Sequence, residues 1–423
     1  MSCFILFVSD YSLFYFKKEE RCMSILRSKW VALSPVMVAI VVLIFSLVLV
    51  PTVHPKPQKL PVAFVNEDEG VQLPNQPPIN MGKNIEQAIQ NMAKSNAAGK
   101  DQPPIDWMQV DSENKAKKGM DKQHYYGALI IPKDFSKKVA SLQTPRPSAP
   151  KVKIVVNQGM NAAASAIVQQ ILNQAADHIN ANVRQQLLQA MSKKGGMVTV
   201  EQAALLASPV EKETAVIHAV GTHSANGNAP VSFVQPIWMA SLAAAALLHL
   251  AMDRRAFAHR REKLAAQVMK TVVGLLLALI AGFGLIGMAD AIGFHIPSFI
   301  DMALFVSLAF FSFFAIESAV FAWIGLKGIL IFILLLFFGA PLLPMAPELM
   351  TSFYRDWVYS WLPQRFMVEG LRELFFFDPT FQWNEPVSVL CWLAFVGVVL
   401  VIVSAFKKRM VQESEESGKL VTS

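Results

Sequence analysis

Charge is what this sequence has least of: 16% of its 423 residues are Asp, Glu, Lys or Arg, where a soluble domain carries about a quarter. The deficit sits in long uncharged runs, which a bilayer accepts and water does not. Cysteine is nearly absent as well, and none of the 3 lies in the large polar segment 51–230. That excludes a disulfide-stapled secreted domain and a cysteine zinc cluster there. Missing too are Gly-x-x-x-x-Gly-Lys-Ser/Thr, His-Glu-x-x-His and Gly-x-Ser-x-Gly, so P-loop hydrolysis and two common hydrolase designs are out. The histidines of the polar segment, His54, His124, His178, His218 and His223, are scattered. A metal site from His218 and His223 is conceivable, but their surroundings read as a linker, and no cofactor or metal is expected. The net charge of +7 lies in patches, so nucleic acid is not an expected partner. What remains is an integral membrane protein that is not itself an enzyme.

What is there is apolar length. Segments 30–50, 231–252, 271–289, 302–326, 328–346 and 386–406 are each long and apolar enough to span. About twenty residues of helix cover the roughly 30 Å hydrocarbon core, and a helix satisfies its own backbone there. Short loops fix the orientation. Arg27 and Lys29 precede the first segment, Arg254, Arg255, Arg260, Arg261 and Lys263 lie between the second and third, and Lys327 separates the fourth and fifth. Lys407, Lys408 and Arg409 follow the sixth, while the loop 290–300 has no Lys or Arg. Both termini are therefore expected in the cytoplasm and segment 51–230 outside the plasma membrane. The expected order is a cytoplasmic 1–29, a first span 30–50, an extracytoplasmic domain 51–230, a five-helix membrane domain 231–406 and a cytoplasmic tail 407–423. Residues 1–22 fit neither a signal peptide nor a span, and Met23 reads as an ordinary start before the first span, so translation is expected to begin there.

Proline clusters divide the polar segment into short units. Strands are expected at 62–65, 105–110, 126–131 and 152–156, and helices at 82–94 and 134–142. A long helix over 161–191 follows, because Ile167, Ile171, Ala175, Ile179, Val183, Leu187 and Met191 recur every four residues. Gly195 and Gly196 end it, and a polar, small-residue stretch through Gly227 is expected to lead back to the membrane. The fold class is an α-helical polytopic membrane protein of six transmembrane helices with an inserted α/β domain.

Three stretches stand out within the membrane part. Glu317 is the one acid deep inside a span, which is costly unless paired or protonated. It serves either a proton or substrate path, or a structural contact with a Ser, Thr or basic group on a neighbouring helix. The basic loop, with Arg254, Arg255, Phe257, Arg260 and Arg261, is either a positive-inside anchor or a short amphipathic helix able to dock a soluble partner. Finally Pro341 and Pro344 break the fifth span while still at membrane depth, where broken helices occur only against protein or a cavity. An aromatic, partly polar region follows, containing Pro363, Gly370, Leu371 and Arg372.

These last residues carry a resemblance. One span, a large outside domain, five spans and the stretch Leu362-Pro363-Gln364-Arg365-Phe366-Met367-Val368-Glu369-Gly370-Leu371-Arg372 together look like the type-2 ABC transporter permeases. Val62-Ala63-Phe64-Val65-Asn66-Glu67-Asp68-Glu69-Gly70 resembles that family's first strand and acidic turn. Tyr126-Gly127-Ala128-Leu129-Ile130-Ile131-Pro132-Lys133-Asp134-Phe135-Ser136 resembles its strand followed by Ile-Pro-x-x-Phe-Ser, and 153–161 the strand and asparagine turn before the long helix. The forms of these motifs are closest to the phage-infection-protein (YhgE/Pip) branch, although the outside domain here is compact. The resemblance implies the permease subunit of an exporter, a homodimer in the lipid bilayer driven by a separate ABC ATPase. The loop Arg254–Lys263 would act as coupling helix, and Pro341 to Arg372 as gate and re-entrant region. A non-transporting phage receptor or secretion scaffold is the rival, and a proton-coupled transporter using Glu317 is the third option.

Overall fold

Alternation in Leu60–Asn66 suits a strand covered on both faces: Val62 and Phe64 enter one apolar cluster, Ala63 and Val65 another, and all four are buried. In the computed structural model this segment is β1 of a five-stranded sheet, with β2 (Ile105–Val110), β3 (Gly127–Ile131), β4 (Lys151–Asn157) and β5 (Glu211–Ile217). The order is β2-β1-β3-β4-β5, with β1 parallel to β2 and β3, β3 antiparallel to β4, and β4 parallel to β5. The structure describes residues 57–72, 77–97, 103–144, 146–194, 200–253 and 259–407, together with residue 39. Two compact units divide the chain, Met1–His54 and Pro55–Ser423, and all that follows concerns the second. The N-terminal 1–29 and, apart from residue 39, the expected first span lie outside the described residues.

Helices cover both sheet faces. On the Val62 and Phe64 side lie α1 (Met81–Ala97) and α4 (Ala162–Lys194), the latter contributing Val168, Leu172 and Ala176. On the other side α2 (Glu113–Asp121) presents Ala116 and Met120 to Ala63, Val65, Ala128 and Ile130. Its N-cap is Ser112, whose hydroxyl accepts from Lys115 N–H at 3.3 Å. The remaining helices of this domain are α3 (Phe135–Ser141) and α5 (Val200–Ala207). The stretch expected to be a plain linker up to Gly227 thus contains α5 and β5. Nearly every β5 residue is exposed, and Lys212 pairs with Asp177 at 2.6 Å. This is a charged edge strand, whose polar sequence hides its pairing.

Among the described residues, four stretches are long and apolar enough to cross a membrane, Ala229–Met252, Arg260–Ala291, Phe299–Leu342 and Glu385–Phe406. They contain α6 (Ala229–Ser232), α7 (Val234–Asp253), α8 (Arg260–Ala291), α9 (Phe299–Ile324), α10 (Ile329–Leu342) and α12 (Glu385–Val403), and α11 (Pro363–Phe376) precedes the last. Such helices fit a multi-pass membrane protein. The separate spans expected over 302–326 and 328–346 form one apolar run, turned at Gly325, whose φ of +72° suits glycine. Its second part, α10, has 14 residues and ends at Leu342 with Pro341 in its last turn, so it covers only about 21 Å. The basic loop, weighed as an anchor or as a short amphipathic helix, is described only from residue 259 onward. Residues 260–263 form the first turn of the 32-residue α8, because a helix about 48 Å long extends beyond the hydrocarbon core.

At the centre of the bundle, α9 packs against α7, α8 and α12. Small residues allow this. A Cβ at Gly397 of α12 would lie 2.6 Å from the Ala315 carbonyl carbon, and one at Gly282 of α8 would lie 2.5 Å from the Ala303 oxygen. Close backbone approach is how helices associate where lipid is as apolar as leucine.

Candidate functional site

The acidic turn after β1 and the Ile-Pro-x-x-Phe-Ser segment after β3 meet on one carboxylate. Asp68 is buried, and its Oδ2 accepts from Ser136 Oγ at 2.5 Å and from Gly82 N–H at 3.0 Å. Its Oδ1 accepts from Ser136 N–H at 2.9 Å and Gly70 N–H at 3.3 Å. Ser136 Oγ in turn accepts from Met81 N–H at 2.8 Å. A buried carboxylate survives because four donors replace its water. The turn, the start of α1 and the start of α3 are thereby fixed to one another.

The third motif works at the opposite end of the sheet. Asn157, fully buried at the end of β4, donates through Nδ2 to Met120 O at 2.9 Å and Tyr125 O at 3.2 Å. That fixes its Oδ1 as acceptor from His218 Nδ1 at 3.1 Å. Asn161 caps α4 by accepting from Ala164 N–H at 3.1 Å and donates to Pro344 O at 2.9 Å. Beside it Tyr126 OH donates to Glu348 Oε2 at 2.9 Å, and Gln58 N–H donates to Glu348 O at 2.9 Å. Burial, reinforced by the Glu348 carboxylate, holds the Tyr126 phenol well above its ordinary pKa, so it stays a donor. His218 packs against Phe377, the rings tilted at 37° with centroids 4.5 Å apart. Burial lowers its pKa, while Asp121 opposes. His223 lies exposed beside Thr222, so the two histidines serve different contacts.

The expected gate residues therefore lie under the sheet domain. Pro341 closes α10, Pro344 receives Asn161, and Pro363 occupies the first turn of α11, where its missing N–H costs nothing. Gly370 is pressed against the Phe305 ring, where any Cβ would overlap it. Leu371 is fully buried and Arg372 nearly so, with its charge beside Tyr126. The aromatic, partly polar region after α10 forms short turns, one of them π-helical over Tyr354–Val358, followed by α11. Sequence composition gave no sign of these turns.

Glu317 of α9 is fully buried, and its Oε1 accepts from Ser241 Oγ of α7 at 3.1 Å. Its Oε2 has no hydrogen-bond partner among the described residues. The same Ser241 hydroxyl lies 2.9 Å from Trp238 O, and with one hydrogen it donates to one acceptor at a time. The seryl contact weighed from sequence is thus present. Of the expected coupling residues, Arg260 and Arg261 are exposed in the first turn of α8. Arg254, Arg255 and Phe257 lie outside the described residues.

The DUF3533 family, described as a protein of unknown function, matches residues 31–400. The chain belongs to the DUF3533 family. A comparison with curated proteins found no match. Among solved structures it is similar to a crystallised domain assigned to an ABC type-2 transporter of Thermotoga maritima MSB8, at 19% identity and a TM-score of 0.25. That alignment covers 37% of this chain and 86% of the other.

For this DUF3533 member, sequence reasoning named the motifs but missed their partners. The Asp68–Ser136 contact joins residues 68 positions apart and Tyr126–Glu348 joins residues 222 apart, separations that no periodicity reports. Trp238, whose indole Nε1–H donates to Phe332 O at 3.1 Å in the bundle, was likewise hidden in an apolar run. A tryptophan inside such a run is the available signal, since its N–H needs a partner when buried.

Proposed function

We propose that this chain is the membrane permease subunit of an ABC-type exporter of the YhgE/Pip kind. The sheet domain lies outside the plasma membrane and both termini inside. The observation that carries the reading is the assembly of the motifs. The acidic turn and the Phe-Ser segment share Asp68, and the asparagine turn seats the domain on the broken helix at Pro344. The Leu-Pro to Gly-Leu-Arg stretch then packs directly behind that seam.

In this reading two copies form the path between them, and a separate ATPase docks at the basic loop that runs into Arg260 and Arg261. Motion reaching α8 would pass to α9 through close glycine contacts, and from the turn after α10 to the domain through Glu348 and Tyr126. A nucleotide-driven switch requires contacts that differ between its two states, and this seam offers polar ones that can break. Glu317 is a structural carboxyl held by Ser241, not a proton carrier.

Cysteine labelling tests the orientation: Asn173→Cys or Gln189→Cys should react from outside and Ala258→Cys only from inside. Light scattering in mild detergent should give at least a dimer. Tagged protein from native membranes should carry an ABC ATPase, and Phe257→Asp with Ala258→Asp should abolish that capture at normal abundance. Recovery of secretion components in place of an ATPase would favour the scaffold reading.

A further inference from the structure

Where α8 begins and α9 and α12 end there is a cavity of about 870 Å3 lined by charge of one sign. Among the described residues, Arg260, Lys263, Lys270, Lys327 and Lys407 line it, with two histidines and no Asp or Glu. Two of these ammonium groups already serve helix ends: Lys407 Nζ donates to Trp323 O at 2.6 Å, and Lys263 Nζ donates to Lys407 O at 3.2 Å. Lys270 does not. It is 4% exposed, and no hydrogen bond or ion pair among the described residues reaches its ammonium. One turn earlier Gln267, also buried, gives Nε2–H to Ser404 Oγ at 3.2 Å and leaves Oε1 with no partner.

An ammonium on a buried side chain without a counter-charge is unfavourable, and among the described residues nothing in the cavity wall supplies one. The geometry points to a phosphate-binding site in this cavity, with Lys270 as its innermost ligand and an anionic phospholipid headgroup as its occupant. Several converging cations suit a phosphate oxyanion, which accepts several charge-assisted hydrogen bonds at once. The position suits a lipid. Lys270 stands where the apolar stretch of α8 begins, the depth at which basic pockets between membrane helices meet headgroups. Trp323 and Phe406 at the wall are exposed apolar surface on which acyl chains can lie. A soluble phosphate ester offers the same oxyanion without the chains. The inference does not depend on the permease reading.

The test is thermal unfolding of the full-length protein in dodecyl maltoside, titrated with three probes at constant ionic strength. They are dioctanoyl phosphatidylglycerol, dioctanoyl phosphatidylcholine and inorganic phosphate. Phosphatidylglycerol should raise Tm saturably, because a ligand of the native state stabilises it by mass action. Phosphatidylcholine, whose phosphate is neutralised by choline, should not. Lys270→Met should weaken the phosphatidylglycerol response at least about tenfold in Kd, or about 1.4 kcal/mol. Stabilisation by inorganic phosphate alone that Lys270→Met abolishes would keep the oxyanion site and assign it to a soluble ester. Equal responses to the two lipids, no response to any probe, or an unchanged response in Lys270→Met would overturn the site. Should Lys270→Met fail to fold, Arg260→Gln with Lys327→Gln changes only exposed residues. An unchanged phosphatidylglycerol Kd in that pair would overturn it equally.

Discussion

Among the described residues of the sheet domain, the large apolar side chains are inside, and only Met108, Leu188 and Val216 are well exposed. In the helix bundle Leu247, Ile280, Met288 and Leu330 are each more than 60% exposed. The contrast follows from the solvent. Water drives the sheet domain together by burying Leu129, Ile131 and Ile154, and its remaining problem is polar: the turns must be fixed without leaving donors unpaired. Lipid offers the bundle no such drive. Its order must come from shape, and shape is set where a missing Cβ lets one backbone approach another. A carboxylate with four donors and a glycine against a carbonyl are the two solutions.

The largest effect should therefore come from adding atoms to the bundle. Gly397→Val places carbon against the Ala315 backbone, which cannot move aside as a flexible side chain can. Overpacking at a rigid contact should cost more than about 3 kcal/mol. The check is size-exclusion chromatography and Tm in detergent. A monodisperse, wild-type-stable Gly397→Val protein would break the claim that α9 is held by close approach.

Next comes the removal of a polar hub. Asp68→Ala leaves the N–H groups of Gly82 and Ser136 buried without their acceptor. At about 1–3 kcal/mol for each unsatisfied group, the loss should be near 3 kcal/mol. Ser136→Ala should cost less, since the backbone donors to Asp68 remain. Hydrogen exchange should find the added opening in α1, α3 and the acidic turn, with the bundle amides unchanged. Equal loosening of both regions would mean that they are not held separately.

How far the sequence announced these two regions differs in the same way. Strand positions came close, β2 at its observed ends, because alternation and proline punctuation are local signals. The long α4 was legible from its four-residue stripe. The edge strand β5 was not, since its pairing with β4 satisfies backbone groups while its side chains stay polar and exposed. Helix α2 was missed because Glu113–Asp121 buries only Ala116, Gly119 and Met120. In the bundle, apolar length located the spans, and Lys327 marked the break between α9 and α10, which is a turn of only four residues. Of the site, the motif residues were readable and their meetings were not. Asp68 with Ser136, and Tyr126 with Glu348, are tertiary facts.

A smaller effect should appear at the seam. Tyr126→Phe removes one hydrogen bond to the half-buried Glu348 and should cost about 1 kcal/mol. Glu348→Gln keeps an acceptor and should cost less. A double-mutant cycle isolates the pair, and exchange at Leu349 and Met350 should rise in Tyr126→Phe. A coupling energy of zero would mean that the domain rests on the bundle through Asn161 and His218 without this contact.

The smallest expected effect is electrostatic and belongs to the sheet domain alone. Glu113 lies at the start of α2, where Lys117 pairs with it at 2.8 Å and Lys153 from β4 at 3.0 Å. The Lys117 hydrogen bond, with Lys153 in support and partial burial opposing, holds the Glu113 carboxyl below its ordinary value. A depressed carboxyl contributes stability that is complete above the unfolded pKa of about 4.3, and loses it as pH falls through the folded value. The partner shift on Lys153 is upward, chiefly through its hydrogen bond to Glu113, so its own contribution is lost only as pH rises through that raised value. Only Glu113 is therefore felt in acid. Glu113→Gln should be destabilised by a few tenths to about 1 kcal/mol at pH 6, since the pair is partly exposed and screened. The difference from wild type should fade as pH falls below about 4.3 and through the lowered folded value, as protonation removes the charge that glutamine lacks. Unfolding curves of the two proteins that stay parallel through that window would mean that the Lys117 and Lys153 contacts contribute nothing beyond geometry.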